Sequence, residues 1–350
     1  MSQRNGAVHA FGGLKTTAVG SMSAPGWLSH LRANAARESS IGPADLAEAA
    51  RDATRIAVLD QEAAGLDEIG SGEVYIPGGF LGQYFDALGI PLQPVERRLG
   101  PFGYDQMPKR RLTEAFSPET TLGAVQTWTA ARSFASRPVK ATVAGPITLA
   151  MPLEVASGYP SRSAAVLSLA DLVNRELKAL VQAGATHVQI DEPTMARDQD
   201  PGLAVEAAQR ALAGIDVAVS IHICFGDNQG RPFAWRRYDP LVRELVKIPA
   251  EEWVLEFANR EMAEAELWSS WLDQAGRHLF LAAGVIDVKS SYIETADDVA
   301  WRVETLLRHV PAEDLSLTTD CGFSQTPRWQ ALRKLSALVE GVRKAAAGVL

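Results

Sequence analysis

The 350-residue chain carries 34 Lys and Arg against 42 Asp and Glu, a net charge of −8, and is 47% apolar and 22% charged. This is an ordinary globular composition, and its acidic balance argues against a nucleic-acid binder, which would present a basic face, and against an anionic membrane surface. No apolar run approaches the roughly 18 residues of a membrane helix, MSQRNGAVHAFGG at the start has no signal-peptide core, and two cysteines make no secreted disulfide framework. The expected setting is the cytoplasm, with no nucleic-acid or membrane partner and the oligomeric state left open.

Along the chain, short runs rich in Val, Ile, Leu and Thr alternate with longer Ala/Leu/Glu/Arg segments at helical spacing. Residues 1–11 are expected to be a flexible N-terminus, ahead of a single domain over 12–346. The first candidate strand is TTAVGS (16–21). A helix follows over 43–64, with Pro near its start and apolar residues on one face. LDEIGSGE (66–73) is the second strand, and 74–116, richer in Gly, Pro and aromatics, reads as an irregular insertion. Then come strands KATVAGP (140–146), THVQIDEP (186–193), VAVSIHIC (217–224), WVLEFAN (253–259), LFLAAGVID (279–287) and LSLTTDCG (315–322). Helices are predicted over 163–183, 201–213, 261–275, 295–309 and 327–346. Eight strands alternating with helices predict an α/β fold of the (β/α)8 barrel type, with a doubly wound open sheet as the alternative.

The strand ends favour the barrel, because barrel enzymes carry their chemistry at the C-terminal ends of the strands. The apolar runs end in Ser21, Glu73, Asp191 with Glu192, His222 with Cys224, Glu256, Asp287 with Lys289, and Cys321. His222 and Cys224 are alternate residues and so point to one side of a strand. With Glu256 and Cys321 they make a zinc-type donor set of one imidazole, two thiols and one carboxylate. The thiols favour zinc over magnesium or calcium, and ligands dispersed over several strand ends suit an active-site metal better than a structural staple. Taken singly, each residue has a plainer reading: His222 as a core histidine bonded to a backbone carbonyl, Glu256 ion-paired with an Arg such as Arg260, a cysteine as a small buried apolar residue.

The same residues carry a resemblance. TTAVGS (16–21), GSGE (70–73), KATVAGPITLA (140–150), VQIDEPTM (188–195), HIC (222–224), LEFANRE (255–261), GVIDVKS (284–290) and TTDCGFSQTPRW (318–329) occur in the order seen in cobalamin-independent methionine synthases. The chain resembles their catalytic C-terminal barrel, without the large N-terminal barrel of the long forms. The resemblance implies zinc held by His222, Cys224, Glu256 and Cys321, and an amino-acid thiol such as homocysteine held by the backbone near Gly20–Ser21 and by Glu73 and Asp191. Two departures stand out. Lys289 in IDVKS occupies the place where the long forms have a His thought to protonate the folate leaving group. Pro152 stands near where they carry a Trp that stacks on the folate. A folate nitrogen leaves poorly unless protonated, so the methyl donor is expected to be something other than methyltetrahydrofolate, such as a corrinoid protein. Tyr159, a few residues on, is the one nearby aromatic that could partly replace the Trp.

The implied chemistry is alkylation of a zinc-bound thiolate, with Asp191 and Lys289 as candidate catalytic groups. An epoxyalkane:coenzyme M transferase-type addition of a thiol to an epoxide is the alternative enzyme, in which Lys289 would meet a sulfonate or a developing alkoxide. A non-catalytic zinc- or thiol-binding barrel is the third reading.

Overall fold

The computed structural model describes residues 11–349 apart from 36, 39, 77–78, 92–97, 101–102, 106–108, 198–199, 228–229 and 233. Six parallel strands form one continuous sheet: β1 (Ala141–Ala144), β2 (His187–Asp191), β3 (Ala218–Ile223), β4 (Glu252–Glu256), β5 (Phe280–Ile286) and β6 (Leu315–Thr319). Each pairs with its neighbour in chain order. Apart from the half-buried Phe280, every residue of these strands is buried, as expected of parallel strands with a core on both faces.

The remaining arc, between β6 and β1, is closed by the two N-terminal segments. Thr16 bridges Leu317, Ser21 bridges Gly72 and Ile69 bridges Val139, all in parallel. Thr17 N–H donates to Leu317 O at 2.9 Å, Asp67 N–H to Thr16 O at 3.0 Å, and Lys140 N–H to Ile69 O at 2.9 Å. The ring of eight expected from the sequence therefore closes into a (β/α)8 barrel, but its first two staves are irregular. Gly72 and Glu73 both take left-handed backbone (φ +75° and +53°), which a regular strand does not allow.

The long helices match their expected spans: Pro43–Ala64, Arg162–Gln182, Pro201–Leu212, Ala296–Leu307 and Arg328–Val349. Their boundaries have local causes, such as the Thr295/Asp298 capping box and left-handed Gly65 after Ala64. The helix expected over 261–275 is confined to Trp268–Ala275. Glu261, Met262 and Glu264 have positive φ, which breaks the preceding turns into two short 3-10 segments. The expected irregular insertion contains a helix (Gly79–Ala87), a two-stranded ribbon (Arg98–Gly100 with Gly103–Asp105), and a strand Arg110–Leu112 that pairs with Leu153–Val155. Of the expected flexible N-terminus, residues 1–10 lie outside the described residues. Phe11 is 3% exposed, edge-on to His187 at 5.1 Å and beside Phe280 at 5.3 Å.

Alternation along the strands builds layers inside the barrel. At the N-terminal end, His187 Nδ1 lies 3.0 Å from both oxygens of Glu68, its Nε2 lies 2.6 Å from Ser220 Oγ, and that hydroxyl reaches Glu252 at 2.6 Å. Lys140, fully buried, acts by its charge on both carboxylates. Above this layer Val19, Val254 and Ala282 form a small apolar cluster of their own. The residues two places further along the strands, at the C-terminal end, form the site.

Candidate metal centre and substrate pocket

His222 is the penultimate residue of β3, which leads into Cys224, while Cys321 follows β6 by two residues. The ligand atoms of these three side chains all lie within 4.8 Å of one another, and the sulfurs are 3.7 Å apart. His222 Nδ1 faces Val254 O at 3.0 Å, a contact in which the ring must donate, so in the neutral ring the lone pair is on Nε2. That Nε2 is buried and has no hydrogen-bond partner. The backbone-carbonyl bond expected of a core histidine is made by Nδ1, and Nε2 is left facing the two sulfurs. Cys224 S–H donates to Cys321, whose thiol is held well below the usual range by that bond and by His222 and Lys289, against the effect of burial. Burial and the neighbouring Cys321 push Cys224 the other way. Two sulfurs and a buried imidazole nitrogen without a hydrogen-bond partner, gathered at one point, are the donor types a soft, tetrahedral metal such as zinc requires. The residues fit the group.

Glu256, the fourth expected ligand, stands outside this trio. Its Oε2 accepts from Lys289 Nζ at 2.8 Å and from Phe225 N–H at 3.0 Å, while Oε1 is buried without a partner. Its ionic partner is Lys289 rather than Arg260, which pairs with Glu264. The Lys289 and Glu256 side chains are 1% and 0% exposed. Burial works against the Lys289 ammonium, but Glu256, Cys224, Asp320 and Cys321 outweigh it and hold its pKa above the ordinary lysine value.

Glu73 and Asp191 open onto a cavity of about 400 Å³ whose wall also includes Gly20, Ser21, His222 and Cys321. Glu73 receives the hydroxyls of Ser21 and of Thr142, the latter at 2.9 Å. Burial raises its pKa against those two bonds. Asp191 accepts from Gln189 Nε2 at 2.6 Å and is pushed up to about 7, chiefly by burial, with His222 opposing and Glu73 adding to the shift. A Cβ on Gly20 would lie 2.9 Å from Glu73 Oε1, so only glycine leaves that carboxylate its place. Glu192, next to Asp191, has a different role: it caps the helix Pro146–Ala150, accepting from Ile147 N–H at 3.0 Å and from Thr148 N–H at 2.8 Å.

Two supporting residues were not singled out from sequence. Asp320 accepts from the N–H groups of Phe257, Ala258 and Asn259 at 3.0, 2.9 and 2.6 Å, which ties the turn after Glu256 to the residue before Cys321. Tyr238 donates to Ile223 O at 3.0 Å and accepts from Glu256 N–H at 2.7 Å. The only signal for Asp320 was its place beside a cysteine. Tyr238 gave none, because it sits in the connection between β3 and β4, outside any strand end, and folds back onto both. Tyr159 does not line the cavity; its hydroxyl accepts from Phe116 N–H at 2.8 Å and contacts Ser168 Oγ at 2.8 Å.

Fold and site together define a barrel protein with a His/Cys/Cys cluster at its strand ends, beside a cavity bearing two carboxylates. The chain belongs to the cobalamin-independent methionine synthase family, a family of methyltransferases: the family's "Cobalamin-independent synthase, Catalytic domain" matches residues 117–344. The methionine synthase of Pyrococcus abyssi is 30% identical over 337 residues, covering 94% of this chain and 92% of that protein. That of Saccharolobus solfataricus is 30% identical over 335 residues, covering 94% of each. A B12-independent methionine synthase from Shewanella sp. W3-18-1, solved in complex with selenomethionine, superposes with a TM-score of 0.82 at 25% identity, over 96% of this chain and 98% of that one.

Proposed function

We propose that this chain is a zinc-dependent methyltransferase that makes methionine from homocysteine, with residues 12–346 acting as one catalytic domain in the cytoplasm. The observation that carries the proposal is the meeting of the His222–Cys224–Cys321 cluster with Glu73 and Asp191 at one cavity, in a member of this family. His222, Cys224 and Cys321 would hold the zinc, with Glu256 as a fourth ligand through its unpartnered Oε1. Bound zinc would take up the acceptor sulfur as a thiolate, which at neutral pH is otherwise mostly protonated, and keep it nucleophilic.

The protein's own residues supply the rest. Glu73 and Asp191 receive the substrate ammonium, and the backbone at Gly20–Ser21 receives its carboxylate. Both carboxylates are buried, so each contact is made away from competing water and fixes the direction from which the sulfur approaches His222 and Cys321. Phe80, Leu81 and Met151 on the cavity wall give the apolar side the methylene chain requires.

For the donor, we propose a corrinoid protein or another activated methyl compound rather than methyltetrahydrofolate. Met151 lines the cavity next to Pro152 and Tyr159 is engaged elsewhere, so neither offers a stacking face in the place of the Trp; among the described residues of the cavity wall the one aromatic is Phe80. Lys289 is occupied by Glu256 and is no donor of protons to a folate nitrogen. Zinc-loaded enzyme with homocysteine should form methionine with methylcobalamin and little or none with methyltetrahydrofolate; rapid turnover with the folate would reverse the assignment. The thiol–epoxide reading drew on Lys289 meeting a sulfonate. With Lys289 on Glu256 and two carboxylates at the cavity, a sulfonate meets repulsion instead. Titration calorimetry with homocysteine and with coenzyme M tests this directly, and tight coenzyme M binding would restore that alternative.

A further inference from the structure

Glu256 is held in a lopsided way. One oxygen has two donors, the Lys289 ammonium at 2.8 Å and the Phe225 N–H at 3.0 Å; the other is sealed from solvent with none. A carboxylate placed to be a firm ligand needs its outer oxygen steadied, and a neutral donor such as the Phe225 N–H does that. A buried ammonium does something more. It offers the carboxylate a full opposite charge in a place where water cannot compete, so it draws on the same negative charge that a metal would use. Lys289 is itself fixed from behind: its backbone N–H donates to Asp287 Oδ1 at 2.8 Å, and its carbonyl stands where a Cβ on Gly230 would come to 2.9 Å.

We infer that Lys289 is a positioning residue that loosens Glu256's hold on the metal, keeping Glu256 the exchangeable member of the ligand set so that it gives way to the substrate sulfur. The inference rests on the metal reading of the His222–Cys224–Cys321 cluster proposed above. With a metal held by the cluster, the arriving substrate sulfur would take the place of Glu256 Oε1, the thiol proton would leave through the cavity to solvent, and the freed carboxylate would stay charged against Lys289. The arrangement also accounts for a lysine at a position that neither lines the cavity nor reaches solvent.

The test is a double-mutant cycle on the full chain, with zinc affinity read by chelator competition and homocysteine binding by calorimetry of the zinc-loaded protein. Lys289→Met should tighten zinc and weaken homocysteine, each by roughly tenfold, the size of effect that residues behind a ligand exert. In a Glu256→Gln background the same substitution should change zinc affinity by less than about threefold, because the partner through which Lys289 acts has lost its charge. Lys289→Arg keeps a cation beside Glu256 and should follow wild type, which separates the effect from a folding defect. An unchanged zinc affinity in Lys289→Met overturns the inference. So does equal tightening with and without Glu256, which would mean that Lys289 merely repels the metal. Wild-type protein that binds no zinc would overturn the metal reading itself, a result distinct from either of these.

Discussion

The barrel interior carries two polar layers, and they differ in how their hydrogen bonds close. At the N-terminal end His187, Glu68, Ser220 and Glu252 satisfy one another, Phe11 covers His187, and Lys140, though its ammonium has no hydrogen-bond partner, adds positive charge beside the two carboxylates. At the C-terminal end the residues two turns of the pleat further on leave His222 Nε2 and Glu256 Oε1 sealed and unpaired. A buried polar atom without a partner costs about 1–3 kcal/mol, and the upper layer keeps two of them next to two thiols, which is where the proposed metal would find its donors. In the lower layer the imidazole, the hydroxyl and both carboxylates are tied to one another. Neither burial of polar groups nor one unpaired atom such as the Lys140 ammonium distinguishes the upper layer; two unpaired potential donors beside two sulfurs do.

The largest effect that should separate the layers is on metal. Cys224→Ser or Cys321→Ser should lower zinc affinity well beyond the ~10–100-fold that outer-shell changes produce, so metal analysis should fall from one zinc per chain to almost none. Full occupancy in both variants would break the comparison at its upper end. His187→Leu should leave zinc content intact.

Stability should respond in the opposite sense. In metal-free protein His187→Leu strands Glu68 and Glu252 in the interior and should cost ~3–5 kcal/mol in urea unfolding. His222→Leu gives up a single bond to Val254 O and should cost only about 1 kcal/mol. Equal losses would mean that the two layers do not differ in kind.

Smaller effects belong to the two cavity carboxylates. Asp191→Asn and Glu73→Gln should each weaken homocysteine by about 1.5–3 kcal/mol, the range of a charge-assisted bond, with zinc retained. The pH dependence of methionine binding should be smaller again. Asp191 titrates at about 7 and must be ionised to receive an ammonium, so it is mostly neutral at pH 6 and mostly charged at pH 8. Affinity should therefore rise with pH over that interval by roughly tenfold, about 1.4 kcal/mol. Methionine has no thiol to titrate, so the rise belongs to the protein, and Asp191→Asn should flatten it. A fall in affinity over the same interval would show that Asp191 is not the ammonium's partner.

Much of the molecule was legible in the sequence because it obeys periodicity. Strands β1 to β6 announced themselves as apolar runs with polar ends, and the long helices by caps and one-sided apolar faces. Residues 16–21 and 66–73 also read as strands, yet their pairing reduces to bridges, and the second segment ends in the left-handed Gly72–Glu73 step that delivers the Glu73 carboxylate. The helix expected over 261–275 failed for the same kind of reason: backbone strain at Glu261, Met262 and Glu264 that composition does not reveal.

By itself the sequence determined the class of fold and the donor types, because a two-residue alternation puts His222 and Cys224 on one face whatever surrounds them. Only the tertiary structure decided what each donor faces. Cys321 meets Cys224 across 97 positions, Asp320 ties down the turn after Glu256, and Lys289 takes hold of a carboxylate 33 residues earlier. These pairings follow from which strand ends the closed barrel sets side by side. Local pattern carries no record of that, because the interaction is between side chains brought together by lateral packing.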